Sequence, residues 1–130
     1  MQEEAGNCLI LTKLQCLNRL AKSGHDEVTL YITADAPSGS STTYRYPTWD
    51  EFAMGDDSGD FKLWYPGRSV MFNNSVTVKA SDGGTELASF TFNLSNLSSV
   101  GSTQSPTSNM SQGLQNISYQ LTALLITKGS

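Results

Sequence analysis

Charge is scarce in this chain. Only 15% of its 130 residues are Asp, Glu, Lys or Arg, and the balance is −4. The basic residues Lys13, Arg19, Lys22, Arg45, Lys62, Arg68, Lys79 and Lys128 are scattered along it. Without a basic stripe, nothing favours a nucleic-acid partner. Histidine occurs once, at His25, and cysteine twice, at Cys8 and Cys16. That leaves no four-ligand zinc set. A Cys–His dyad can be drawn with either cysteine, but neither lies in a nucleophile signature. No Gly-rich phosphate loop precedes a helix. These absences argue against an enzyme. No apolar run approaches the roughly 18 residues of a membrane-spanning helix. MQEEAGN at the N-terminus has no hydrophobic core of a secretory signal, which leads to the expectation of a cytoplasmic protein or one released by a non-classical route.

The two cysteines stand eight positions apart. On one straight strand their Cα atoms would lie about 26 Å apart, and on one helix about 12 Å apart. A disulfide needs less than about 7 Å. Two free, buried thiols are therefore expected unless the chain doubles back between them.

What the sequence has in quantity is Ser and Thr, 31 positions together, and 11 glycines. This is the composition of an all-β domain with many turns. The clearest segment is Ser69 to Leu94. Val76, Val78 and Ala80 alternate with Thr77 and Lys79; beyond SDGG, Ala88, Phe90 and Phe92 alternate with Ser89 and Thr91. Such alternation marks strands with one buried face. Pairing Asp82 with Glu86 sets Ala80 against Ala88, Val78 against Phe90 and Val76 against Phe92. Gly83, Gly84 and Thr85 then form a three-residue hairpin loop.

Further strands are expected at VTLYITAD, with Val28, Leu30, Ile32 and Ala34 on one face, and at FKLWY (61–65). ISYQLTALLIT (117–127) adds another, with Ile117, Tyr119, Leu121 and Ala123 inward. Residues 7–21 admit a strand through Cys16, with Cys8, Ile10, Leu14 and Cys16 alternating against Leu9, Leu11, Lys13 and Gln15. They also admit a helix with Ile10, Leu14, Leu17 and Ala21 on one face; Thr12 and the lack of an acidic first turn favour the strand. Pro47 confines its segment to a sheet edge. Residues 1–6 are a loose end, and 95–113 read as a Ser-rich, aperiodic connection. The sum is one domain over 1–130: an antiparallel β-sandwich of seven or eight strands.

The order of a Cys-bearing strand, GHDEVTLYI, an aromatic and acidic loop, FNNSVTVKASDGGTELASFTF and a final YQLTALLIT resembles small C2-like β-sandwich domains. The resemblance spans roughly residues 8–127 and includes a V-x-V-x-x-x-D strand, Val76 to Asp82. It implies acidic loops gathered at one end, which in C2 domains can hold Ca²⁺ and present it to a membrane or a partner. The matching positions are Asp26, Glu27 and Asp82, with Asp56, Asp57 and Asp60. The D-x-D pair of a calcium-competent site is missing after Val78, where Ala80 and Ser81 precede a single Asp82.

WDEFAMGDDSGD gathers five carboxylates. Asp56, Ser58 and Asp60 have the opening spacing of an EF-hand loop, but Phe61 replaces its glycine and Gly67 its final glutamate. The simpler reading is a solvated loop whose charge deters association. Tyr44, Tyr46, Trp49, Trp64 and Tyr65 lie close in sequence, with Arg45 and Arg68 nearby. Such rings either fill the core and its rim or, with Tyr46, Trp49 and Trp64 as the platform, stack on sugars. The N-x-S triplets at Asn73, Asn93, Asn96, Asn109 and Asn116 arise readily in a serine-rich chain. The reading favoured is a non-enzymatic binding or assembly module. Its acidic and aromatic loops would meet a protein, a membrane surface or a Ca²⁺-dependent partner. A lectin-like module for a glycan and a homo-oligomer that associates through edge strands are the alternatives.

Overall fold

The alternating segment forms the hairpin at the centre of one sheet. In a computed structural model, residues 6–20, 25–56, 62–113 and 115–129 are described. Strands β1 (Asn7–Asn18), β2 (Asp26–Asp35), β3 (Ser41–Tyr46) and β4 (Phe52–Met54) come first. Then follow β5 (Leu63–Trp64), β6 (Arg68–Phe72), β7 (Ser75–Asp82) and β8 (Thr85–Asn93). A 3₁₀ turn at Leu94–Asn96 leads to β9 (Thr103–Gln104), β10 (Thr107–Gln112) and β11 (Gln115–Thr127).

The pairings are antiparallel and build two sheets. One runs β10-β11-β1-β5, with β6 continuing along β1 and β9 along β11. The other runs β3-β2-β7-β8, with β4 continuing along β2. This is the expected all-β sandwich. Among the described residues eight strands have five residues or more, and three shorter ones extend them. Leu9, Leu11, Leu14, Leu121 and Leu125 of the first sheet meet Leu30, Ile32, Val78, Phe90 and Phe92 of the second in one core.

The hairpin register holds where the alternation is strict: Val76 faces Phe92, Val78 faces Phe90 and Ala80 faces Ala88. It departs at the turn. A register shift after Ala80 sets Ser81 against Glu86 and Asp82 against Thr85. Leu87 is the extra residue and is fully buried. The expected Asp82–Glu86 pair and three-residue loop are thus corrected to a two-residue turn, Gly83–Gly84, with Gly83 at φ 58°. A bulge gives an apolar residue a core position that strict alternation denies it.

The same device resets β1. Leu9 and Leu11 are buried before a register shift between Leu11 and Lys13, and Leu14 and Cys16 after it. Ile10, read as inward beside Leu14 and Cys16, is therefore only half-buried. Both cysteines are free and buried, as expected where the chain does not double back between them. The stretch 95–113 is not an aperiodic connection: it supplies β9 and β10, the latter paired with β11 from Thr107 to Gln112. An edge strand needs few apolar side chains, so its polar sequence hid it.

The two sides of the sandwich differ. Between β8 and β10 the sheets are stitched: the Ser89 N–H donates to Ser108 Oγ at 3.1 Å, and Gln112 Nε2 donates to the Glu86 carbonyl at 3.5 Å. On the opposite side β3 and β6 are edge strands, as Pro47 suggested for its segment. The crossing from β6 to β7, from one sheet to the other, is pinned by Asp35 at the end of β2. Its carboxylate accepts the N–H groups of Asn73 (3.0 Å), Asn74 (2.8 Å) and Ser75 (3.0 Å). Burial pushes this carboxyl up, but the N–H bonds from Ser75, Asn74 and Asn73 together outweigh it and hold it below the usual range.

Candidate functional site

The strand directions gather acidic residues at one end. Asp26 and Glu27 open β2, Asp82 closes β7, and Asp56 follows β4. Their chemistry there is not uniform. Asp26 is fully buried and accepts the Tyr119 hydroxyl at 2.5 Å and the Leu20 N–H at 2.9 Å. Asp56 accepts the Arg19 N–H at 3.1 Å and lies 3.7 Å from its guanidinium. Asp82 accepts the Glu27 N–H at 3.2 Å. Glu27 pairs with His25 at 3.2 Å. Asp57 and Asp60 lie outside the described residues. Among the described residues, no three of His, Cys, Asp and Glu converge as metal ligands would.

Asp26 belongs to a buried polar group with Tyr119 and Cys16. Tyr119 sits inward on β11, as its alternation implied. Burial, and then its bond to Asp26, push the phenol far above its ordinary range. Burial also raises the Cys16 thiol to about 12, although the Tyr119 contact pulls it down and nearby Asp26 raises it further. A thiol held so far from ionisation is a poor nucleophile.

The aromatic set divides. Trp64 is 7% exposed, with Phe52 stacked on it at 4.9 Å and Tyr46 at 5.9 Å between ring centroids. Tyr46 donates its hydroxyl to the Pro66 carbonyl at 3.1 Å. These three rings close the core beneath β3 and β4. Trp49 is 86% exposed, on the loop 47–51 between β3 and β4, with Asp50 and Glu51 exposed beside it. The structure therefore brings Tyr46 and Trp64 together inside and sets Trp49 apart in solvent. Arg45, at the loop's base, donates to the carbonyls of Pro47 and Asp50 and lies 3.7 Å from Glu51. Those contacts tie the loop down at both ends.

One feature was not legible beforehand. Arg68 Cζ lies 5.8 Å from the ring centroids of both Tyr44 and Tyr46. Beside it Tyr44, Ser69, Val70 and Met71 line a cleft of about 160 Å³ between the β3 and β6 edges. The sequence offered Arg68 and Tyr44 as neighbours of the aromatic group, without the edge-to-edge geometry that joins them.

Among solved structures, a C2 domain of plant Extended Synaptotagmin 1, the domain designated A, matches over 100% of both chains, with a TM-score of 0.55 and 7% identity. CC2D1B, described as coordinating ESRCT-III activity during the mitotic reformation of the nuclear envelope, matches over 97% of this chain with a TM-score of 0.61 and 10% identity. The fold is C2-like. This chain spans 56% of that CC2D1B chain. No protein-family model matches the sequence, and no curated protein matches it significantly. At such identities the likeness is one of fold, and the C2-like frame explains why the acidic residues share an end: the strands β2, β4 and β7 start or stop there. Among the described residues no helix is long and apolar enough to cross a membrane.

Proposed function

We propose that this C2-like sandwich is a non-enzymatic binding module that docks a protein through the loop 47–51 and the acidic end beside it. The observation that carries the reading is Trp49, which is 86% exposed and is followed by two exposed carboxylates, Asp50 and Glu51. Large aromatics on a protein surface are the residue type most often found to anchor interfaces, each contributing ~2 kcal/mol or more when truncated. Asp50, Glu51 and the acidic end favour a partner with a basic face and steer its approach. The net charge of −4 disfavours an anionic membrane in the absence of Ca²⁺.

The test begins with a photo-crosslinking residue at position 49 to identify a partner, whose affinity for the wild type and for W49A is then measured. A loss of about 30-fold on W49A, with binding weakened by salt, is expected for an anchor of this size. Equal affinity for the two proteins contradicts the proposal. Sedimentation with phosphatidylserine vesicles, with and without Ca²⁺, and calorimetry with Ca²⁺ alone complete it. Vesicle binding that requires Ca²⁺ and survives W49A would move the function to a membrane surface held through the acidic end.

A further inference from the structure

The open side of the sandwich carries a second recognition feature, separate from the Trp49 loop. Arg68 on β6 lies over the rings of Tyr44 and Tyr46 on β3. A guanidinium has five N–H donors in a planar fork suited to a carboxylate. Among the described residues those donors meet no protein acceptor and no acid. Three other cations of the described chain have an acid: Arg19 has Asp56, Arg45 has Glu51, and Lys79 has Glu86. Aromatic stacking fixes the plane of Arg68 and leaves its edge free for an anion.

The adjoining cleft, at about 160 Å³, is well below the ~300–1,000 Å³ of drug-sized pockets. It takes one side chain. Its wall of Tyr44, Ser69 and Met71 is amphipathic, and Met71 is 53% exposed. The cleft opens beside β3, whose partner is β2 alone. Over Ser41–Tyr46 that edge has no proline, and its one charged side chain, Arg45, is drawn into the loop by the carbonyls of Pro47 and Asp50 and by Glu51, which leaves the edge little guarded against an added strand. Tyr44 and Tyr46 pair with Ile32 and Leu30, so they share the inner face of the sheet. A strand added alongside β3 would face the same way at the positions opposite Tyr44 and Tyr46. Its side chain opposite Tyr44 would enter the cleft and reach Arg68.

We propose that the β3 edge accepts an extended segment of a partner protein, with an acidic side chain opposite Tyr44 paired to the Arg68 guanidinium. Main-chain bonds along β3 supply the affinity, and the carboxylate–guanidinium fork sets register and specificity.

The probe is a capped heptapeptide of alternating Thr and Val with a central Glu, compared with its Gln twin. Titration is followed by ¹⁵N–¹H spectra of the intact chain. The Glu peptide is expected to shift the amides of Ser41–Tyr46 and to bind about tenfold more tightly than the Gln peptide, the usual gain from a charge-assisted bond. R68Q should abolish that preference. W49A should bind both peptides as the wild type does, so this site and the Trp49 loop stand or fall separately. Equal binding of the two peptides, a preference that survives R68Q, shifts elsewhere than β3, or no shift at millimolar peptide overturns the proposal. So does concentration-dependent dimerisation that R68Q removes, because a second copy would then own the edge.

Discussion

The hydroxyl of Tyr119, on the last strand, donates to Oδ2 of Asp26, at the start of β2, across 2.5 Å. The two residues are 93 positions apart and belong to different sheets. The bond ties the sheets at the acidic end. Replacing Tyr119 by Phe keeps the ring and deletes the donor. Leaving a buried acceptor short of a partner costs about 1–3 kcal/mol, so Y119F should lower the urea midpoint with an unchanged m-value. A midpoint equal to wild type would show that the bond contributes nothing.

The other end depends on Asp35. Its carboxyl is held below the usual carboxylate range in the folded state by the N–H groups of Asn73, Asn74 and Ser75. A depressed folded value means that this stabilisation is fully present above the ordinary carboxylate range and is lost as pH falls through the lowered one. The thermal midpoint of the wild type should therefore drop at acid pH more than that of D35N, whose amide does not titrate. By analogy with a helix N-cap carboxylate, which also accepts backbone N–H bonds, D35A should cost about 0.5–2 kcal/mol near neutrality. Parallel pH curves for wild type and D35N would contradict this role.

The thiols should be silent in the folded chain. Cys16 is 2% exposed, and its thiol is pushed up to about 12. Cys8 is also buried and is not bridged to it. Titration with an aromatic disulfide reagent at pH 8 should react slowly under native conditions and take up two equivalents in guanidinium. Rapid native reaction at both sites would require a looser β1 than the one described.

The two tryptophans should differ sharply in what their removal costs. W64A removes a β5 ring stacked on Tyr46 of β3 and Phe52 of β4 and should cost about 3–5 kcal/mol. W49A touches no core residue and should fall within about 0.5 kcal/mol of wild type. Urea melts of both variants check the pair. Similar losses from the two would mean that Trp49 packs after all.

How far the sequence disclosed this fold follows from range. Val76, Val78, Phe90 and Phe92 announce their faces because alternation is local and the two runs share parity. Leu87 and Thr12 do not announce bulges, since one inserted residue leaves the composition of a strand unchanged. Nothing beside Asp35 in the sequence marks its acceptor role, which depends on N–H groups 38 to 40 residues downstream. Asp26 read as a surface ligand for the same reason: Tyr119 encloses it from the far end of the chain. Tyr46, Trp49 and Trp64 are close in sequence and alike in chemistry. Only the turn between β3 and β4 decides that Trp49 faces water while the other two stack.

That division is the account's most direct point of test, because both the closed core under β3 and the free anchor on the loop 47–51 rest on it. Acrylamide quenching of tryptophan emission should be measured on wild type and on W49F. The prediction is a strongly quenched component in the wild type that vanishes in W49F, leaving blue-shifted, weakly quenched emission from Trp64 alone. A W49F protein whose remaining emission is red-shifted and quenched as readily as the wild type's would contradict it.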